Sequence, residues 1–111
     1  MTTDRVTTDS GGRIVALVPD LMDQSRIRAA LPDVVFARDP ATAAGAAVVV
    51  VDLARFGDHI AAVRASTAGR IVAFGPHVDD AGFAAAREAG ADTVLARSQF
   101  FRDPAAAVTR A

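Results

Sequence analysis

The sequence predicts an α/β fold in which one five-stranded parallel sheet carries helices on both faces. Five apolar runs of strand length alternate with Ala-rich amphipathic stretches, and no hairpin turn joins consecutive runs. The runs are apolar almost throughout, which is typical of strands that are covered on both sides. The chain is 51% hydrophobic but has only six Phe and neither Trp nor Tyr, so Ala, Val, Ile and Leu must build the core.

The strands and helices are expected to alternate along the whole chain after residue 12. We predict strands over 13–18, 33–37, 47–51, 70–74 and 92–96. We predict helices over 21–31, 39–46, 58–68, 79–90 and 102–111. Because crossovers between parallel strands are right-handed, few arrangements remain, and the strand order 2-1-3-4-5 is the expected one.

The first predicted helix has its apolar positions near helical spacing and is ended by Pro32. Those apolar positions are Leu21 or Met22, Ile27, Ala30 and Leu31. The second and the last helix each open with an aspartate N-cap followed by proline, at Asp39-Pro40 and Asp103-Pro104. The second helix can only be short, since the next strand begins soon after it.

The third and fourth predicted helices each place small apolar residues on one face and stop at a glycine. In the third these residues are Ile60, Val63 and Thr67, and Gly69 follows. In the fourth they are Phe83, Ala86 and Ala89, and Gly90 follows. The third strand contains four consecutive valines, so we expect it to be the most buried strand of the sheet.

The carboxyl ends of the strands are the expected location of any ligand or chemistry, because ligands bind there in parallel sheets of this kind. The polar or small residues that follow the strands are Asp20, Asp52, Gly75, His77, Arg97 and Ser98. We therefore expect these residues to form a pocket beside the junction of the first and third strands.

Several classes of protein are excluded by composition and by missing motifs. The formal net charge is −1 and the twelve Arg residues are scattered, so no nucleic-acid footprint is present. The absence of Cys excludes disulfides, thiolate catalysis and zinc-cysteine sites. After the first strand the chain reads PDLMDQ instead of a glycine-rich dinucleotide motif, and without any Lys it cannot form a Walker A loop.

The polar first 12 residues are expected to be a disordered tail, and residues 13–111 a single domain. No apolar stretch approaches the roughly 20 residues needed to span a bilayer, and the N-terminus lacks the apolar core of a signal peptide. We expect a cytoplasmic protein without membrane contact.

From residue 13 to 110 the chain resembles the receiver domain of two-component response regulators. The resemblance is best in VVVVDL (48–53) and in GRIVAFGPHVDDAGFAAAREAGADTVLARSQF (69–100). It implies the three-layer flavodoxin-like (CheY-like) fold. In receivers the acid that ends the third strand accepts a phosphoryl group, and the resemblance assigns this position to Asp52.

The rest of the receiver motif is altered, so the chain resembles a degenerate receiver, or pseudo-receiver. Receivers end the first strand with two adjacent acids that help to hold Mg²⁺, whereas this chain has Pro19-Asp20. Losing one carboxylate weakens a site for an ion that prefers several oxygen ligands. The family's Thr or Ser matches Gly75, its Lys followed by Pro matches Arg97-Ser98, and its switching aromatic matches Val94.

Each candidate residue also has a structural interpretation. Asp20 fits an N-cap of the first helix, and Arg97 could form a salt bridge with Asp52 in place of the metal. Asp20 and Asp52 are the candidate Mg²⁺ ligands only if Asp52 is a phosphoacceptor, and no other cofactor is predicted. Phe100 and Phe101 are either partner contacts near the face of the last strand and its neighbouring helices, or core residues.

Three functions follow from this reading. The leading one is a stand-alone, non-enzymatic signalling and interaction module that binds a partner protein or a second copy of itself, since the chain carries no output domain. The second is a working receiver phosphorylated on Asp52 in a phosphorelay. The third is a small hydrolase using Asp52, His77 and Ser98, although Ser98 lacks the Gly-x-Ser-x-Gly turn that exposes a nucleophile.

Overall fold

A computed structural model describes residues 12–109, which form one parallel five-stranded sheet with helices on both faces. The strands are β1 (Ile14–Leu17), β2 (Val35–Phe36), β3 (Val48–Asp52), β4 (Arg70–Gly75) and β5 (Thr93–Ala96). Their order in the sheet is β2-β1-β3-β4-β5, and every neighbouring pair is parallel. The predicted fold class and strand order are confirmed.

Six α-helices connect the strands or follow them in the described part of the chain. They are α1 (Leu21–Ala30), α2 (Leu53–Phe56), α3 (Ile60–Ser66), α4 (Asp80–Ala89), α5 (Arg97–Arg102) and α6 (Pro104–Thr109). The predicted helix over 39–46 is only a 3₁₀ turn, Pro40–Ala43, although Asp39 caps it as expected. A second 3₁₀ turn, Gly57–His59, joins α2 to α3.

Two of these helices, α2 and α5, were not predicted because each begins without a break after a strand. Asp52 is both the last residue of β3 and the N-cap of α2. Arg97 follows the last residue of β5 and starts α5, which ends before the Asp103-Pro104 pair that opens α6. At neither junction does a glycine or proline separate the strand from the helix, so these helix starts were not recognised in the sequence.

The core consists of two apolar layers, one on each side of the sheet. Ile27 of α1, Phe100 of α5 and Val108 of α6 pack with β-strand residues on one face. Ile60 and Val63 of α3 pack on the other face, together with a group of residues from α2 and α4. Strand β3 lies between β1 and β4, and Val49, Val50 and Val51 have no exposed surface. This central position explains the run of valines.

The inward face of α1 differs from the prediction at its first turn. Leu21 and Met22 are 76% and 74% exposed, whereas Asp23 is buried. Residues four apart lie on the same stripe of a helix, so Asp23 faces the sheet with Ile27, and Leu21 and Met22 do not. The buried stripe therefore starts with a carboxylate.

The remaining sequence predictions fall partly outside the described residues. Of the expected disordered tail over 1–12, residues 1–11 lie outside them, as do the last two residues of the helix expected over 102–111.

Gly90 ends α4 as predicted, with φ of 120°. Within residues 12–109, no helix has the length and apolar character needed to cross a membrane.

Candidate functional site

Asp52 lies at the carboxyl end of the central strand, where the sequence placed the candidate phosphoacceptor. It is only 6% exposed. Its Oδ1 accepts a hydrogen bond of 3.0 Å from the amide of Ala54, so the carboxylate caps the short helix α2. Burial raises the pKa of Asp52, and the hydrogen bond from Ala54 partly offsets this effect.

Arg97 binds Asp23 and not Asp52, so the predicted Arg97–Asp52 salt bridge is wrong. Nη2 of Arg97 donates to Oδ1 of Asp23 at 2.7 Å, and Nη1 donates to Oδ2 at 3.1 Å. Asp23 is 7% exposed at its side chain and Arg97 is 42% exposed. The planar guanidinium fits both carboxylate oxygens at once, a geometry that a Lys could not provide.

The three charged groups at this end of the sheet influence one another. The positive charge of Arg97 lowers the pKa of Asp52, while the negative charge of Asp23 raises it. The hydrogen bonds that Arg97 donates to Asp23 are the main cause of a raised pKa of Arg97, and the charge of Asp52 adds to it. The sequence analysis did not identify Asp23. Its position four residues before Ile27, which places both on the same face of α1, is the signal that could have identified it.

The guanidinium of Arg97 also rests on an aromatic cluster. It lies 5.3 Å from the ring centroid of Phe74 and 5.1 Å from that of Phe101. Both contacts are within cation–π range. The ring of Phe100 stacks on Phe74 at 4.8 Å and meets Phe101 edge-on at 5.0 Å. Arg97 is therefore fixed by one carboxylate and two rings.

The two adjacent phenylalanines, Phe100 and Phe101, differ in burial although both belong to the aromatic cluster. Phe100 has no exposed surface and is a core residue, so it does not serve as a partner contact. Phe101 is half-buried, packs against the same core, and also lies under the guanidinium of Arg26 at 5.5 Å. The core interpretation is the correct one for Phe100.

Asp20 and Gly75 have structural roles at the pocket. Asp20 is exposed and caps α1, its Oδ1 accepting from the amides of Met22 and Asp23 at 2.9 and 3.0 Å, as the cap interpretation predicted. Gly75 is buried beneath Leu53 and Phe83. A Cβ atom at position 75 would lie 3.2 Å from Cδ1 of Leu53 and 3.3 Å from Cε1 of Phe83.

His77 and Ser98 are exposed and do not join Asp52 in a hydrogen-bonded triad. His77 lies in the loop between β4 and α4, and Ser98 lies in the first turn of α5. Among the hydrogen bonds between residues 12–109, the one to the carboxylate of Asp52 comes from Ala54. The structure therefore gives no support to a nucleophile activated by His77.

The residues at this site do not fit the magnesium ion that receivers use. Mg²⁺ requires octahedral oxygen ligands, and proteins usually hold it through one or two carboxylates, with waters and substrate phosphates at the other positions. Here the carboxylate of Asp23 is bound to Arg97 and that of Asp20 caps α1. No group of three His, Cys, Asp or Glu residues that could hold a metal occurs among the described residues. Only Asp52 remains, beside a fixed cation.

Two grooves lie away from this site. The larger, of about 430 Å³, runs beside β5 and is lined by Leu95, Gln99, Arg102, Asp103, Ala106 and Ala107. The smaller, of about 230 Å³, lies between α2 and α4 and is lined by Leu53, Gly57, Asp58, Asp79, Gly82, Ala85 and Ala86. Neither is lined by Asp52 or Arg97, although Leu53, which packs over Gly75, lines the smaller groove.

Comparison with solved structures identifies the fold. The structure is similar to a response regulator protein from Burkholderia pseudomallei, with a TM-score of 0.74 and 16% sequence identity over 89% of this chain and 67% of that one. The fold is that of a response-regulator receiver. That crystal structure contains a phosphorylated aspartic acid, a calcium ion and citrate. No protein-family model matches the chain, and no curated protein sequence is significantly similar to it.

Proposed function

We propose that this protein is a receiver-like interaction module that acts in signalling without being phosphorylated. The observation that carries the proposal is the bidentate ion pair between Asp23 and Arg97 beside the strand-end carboxylate of Asp52. A receiver that accepts phosphate needs a free cationic side chain and a metal site next to its aspartate. Here the cationic side chain, Arg97, is already paired with both carboxylate oxygens of Asp23.

The charge arrangement opposes binding of a second cation. Arg97 already supplies a positive charge next to Asp52 and lowers its pKa. A divalent ion at Asp52 would be repelled by this guanidinium, which both oxygens of Asp23 and the rings of Phe74 and Phe101 hold in place. Charge-assisted bidentate pairs of this kind are about twice as strong as neutral hydrogen bonds. The pocket is thus held in one state by its own residues.

Packing around Gly75 supports the same function. Leu53 and Phe83 close over the position where a receiver carries a hydroxyl side chain. A Cβ atom there would force both residues to shift by a few tenths of an ångström, and Gly75 itself has no hydroxyl to bind a phosphoryl oxygen. The pocket is consequently filled by apolar groups on this side of Asp52.

The function of such a module depends on contacts with another protein, whether a signalling partner or a second copy. The receiver fold with helices on both faces of the sheet offers several surfaces for this purpose, and the groove beside β5 is the largest of those described. Phe100 is excluded from them by its burial. The exposed residues of this groove, Gln99, Arg102 and Asp103, replace it as candidate contacts.

The experiment is a titration of the full chain with beryllofluoride and Mg²⁺, followed by thermal unfolding and by ¹H–¹⁵N NMR spectra. We expect no saturable change, and the same result for Asp52→Asn. A saturable response in the natural chain that Asp52→Asn abolishes would identify a working phosphoacceptor and overturn the proposal. A receiver known to respond to beryllofluoride, measured in the same buffer, verifies that the reagent is active.

A further inference from the structure

We propose that the groove between α2 and α4 binds an arginine or lysine side chain of a different protein. The groove is formed by the segment after β3 and by the first turns of α4. This groove would give the interaction module proposed above one more contact with its partner. The inference rests on the proposed function in one respect, that the bound side chain belongs to a protein. Asp52 itself is not among the residues that line the groove.

The lining of the groove is apolar below and acidic at its sides. Leu53, Ala85 and Ala86 supply the apolar surface, and Asp58 and Asp79 supply two carboxylates. No basic residue is among the seven that line it. Arginine and lysine have an apolar stem and a cationic head, so their side chains match both parts of this surface.

Two glycines shape the groove: Gly57 leaves space for an occupant, and Gly82 leaves space for the carboxylate of Asp79. A Cβ atom on Gly57 would meet only Cδ2 of Leu53, at 3.8 Å, so this position opens into the groove. At Gly82 a Cβ atom would collide with the carboxylate of Asp79. Asp79 accepts the amide of Gly82 at 2.9 Å as the N-cap of α4, and the missing side chain lets its carboxylate stay there.

The size of the groove favours a side chain over a small-molecule ligand. Its volume is about 230 Å³, which is below the range of about 300–1,000 Å³ typical of ligand pockets. Neither Asp58 nor Asp79 is paired with a basic side chain among the ion pairs of the described residues. The acidic first-turn residue Asp80 adds to the negative charge, and Val78, 76% exposed, offers an apolar contact next to Asp79.

The test uses N-acetyl-arginine methylamide as the probe and ¹H–¹⁵N NMR as the measurement. We expect saturable shifts at the amides of Gly57, Asp58 and Gly82 at millimolar probe concentrations. The lysine analogue should give similar shifts, and the uncharged citrulline analogue, which has almost the shape of arginine, should give none. Raising the ionic strength from about 0.01 to about 0.1 M should weaken binding, because the Debye length falls from about 30 to about 10 Å.

Variants separate charge from shape. Asp58→Asn combined with Asp79→Asn keeps the cap acceptor of α4 and is expected to weaken binding by about fivefold or more. Gly57→Val fills the groove and is expected to abolish the shifts, while dispersed spectra show that the fold is kept. Asp33→Asn, an exposed aspartate at the opposite end of the sheet, serves as the matched control and should bind like the natural chain.

Four outcomes would overturn the proposal. They are the absence of shifts at the three amides, equal shifts with the citrulline analogue, a response to Mg²⁺ or Ca²⁺ without one to arginine, and concentration-dependent shifts without any probe. The third would assign the groove to a metal ion, and the fourth to a second copy of this chain. None of these depends on beryllofluoride binding, so failure here is distinguishable from failure of the proposed function.

Discussion

Asp23 and Arg97 connect the helix after β1 to the helix after β5 although 74 positions separate them in the chain. Their two hydrogen bonds cross the carboxyl edge of the sheet, beside the buried carboxylate of Asp52. The cation that would otherwise be available to Asp52 is therefore committed to another acid. This arrangement has consequences for stability and for the pH dependence of folding.

The Asp23–Arg97 pair is expected to contribute measurably to stability. Asp23→Asn should lower the free energy of unfolding by about 1–2 kcal/mol, because a charge-assisted bidentate contact is lost but Arg97 stays partly solvated. Urea unfolding at neutral pH measures this. A double-mutant cycle with Arg97→Gln should give a coupling energy of about 1 kcal/mol. Strict additivity of the two changes would contradict the pairing, and Asp33→Asn should change stability by less than about 0.5 kcal/mol.

Replacing Asp52 with asparagine is expected to stabilise the protein at neutral pH. Asparagine keeps an oxygen for the amide of Ala54 and removes a charge that burial disfavours. Because the pKa of Asp52 is raised on folding, the folded state holds more protons between the unfolded and folded pKa values. The contribution of Asp52 to stability is therefore most favourable below the unfolded pKa, and it is lost as the pH rises through the folded pKa.

The pH dependence of the unfolding midpoint tests this sign. The increase in the unfolding midpoint that Asp52→Asn causes should be largest above the folded pKa of Asp52. It should decrease as the pH falls and become constant below about pH 3.9, the ordinary pKa of aspartate. An advantage that grows as the pH falls would show that the pKa of Asp52 is lowered by folding instead. Such a result would indicate that the hydrogen bond from Ala54 and the charge of Arg97 together outweigh burial.

Replacing Gly75 or Gly57 with alanine should change the stability of the protein in opposite directions. Gly75→Ala is expected to destabilise the fold by about 1–3 kcal/mol, because its Cβ atom would crowd Leu53 and Phe83. Gly57→Ala should be neutral or stabilising by up to about 1 kcal/mol, since Gly57 has φ of −56° and ψ of −34° and space for a Cβ atom. Thermal unfolding of both variants measures the difference. Equal effects would contradict the packing over Gly75.

The adjacent phenylalanines are expected to differ in their contribution to the core. Phe100→Ala should cost about 3–5 kcal/mol, because Phe100 is fully buried and stacked on Phe74. Phe101 is only half-buried, so Phe101→Ala should cost less. Urea unfolding measures both. If Phe100→Ala left stability unchanged but abolished binding to a partner, Phe100 would be a contact residue after all.

Local sequence patterns were enough to predict the strands and the position of Asp52 at the end of one of them. The strand order followed from the way strands and helices alternate along the chain. The four valines before Asp52 indicate a strand covered on both faces, and the alternation of strands with helices restricts the crossovers. The caps at Asp20 and Asp39 could also be predicted, since an N-cap accepts hydrogen bonds from amides two or three residues away.

The roles of Arg97, Asp23, Phe100 and Gly75 were decided only by the tertiary structure. Arg97 lies within the electrostatic influence of three aspartates, and which of them it binds depends on how α1 and α5 pack on one face of the sheet. Phe100 faces the core because α5 starts directly after β5, a boundary that no local signal marks. Sequence periodicity determines which residues share a face, whereas contacts between residues 74 positions apart arise only when the helices dock.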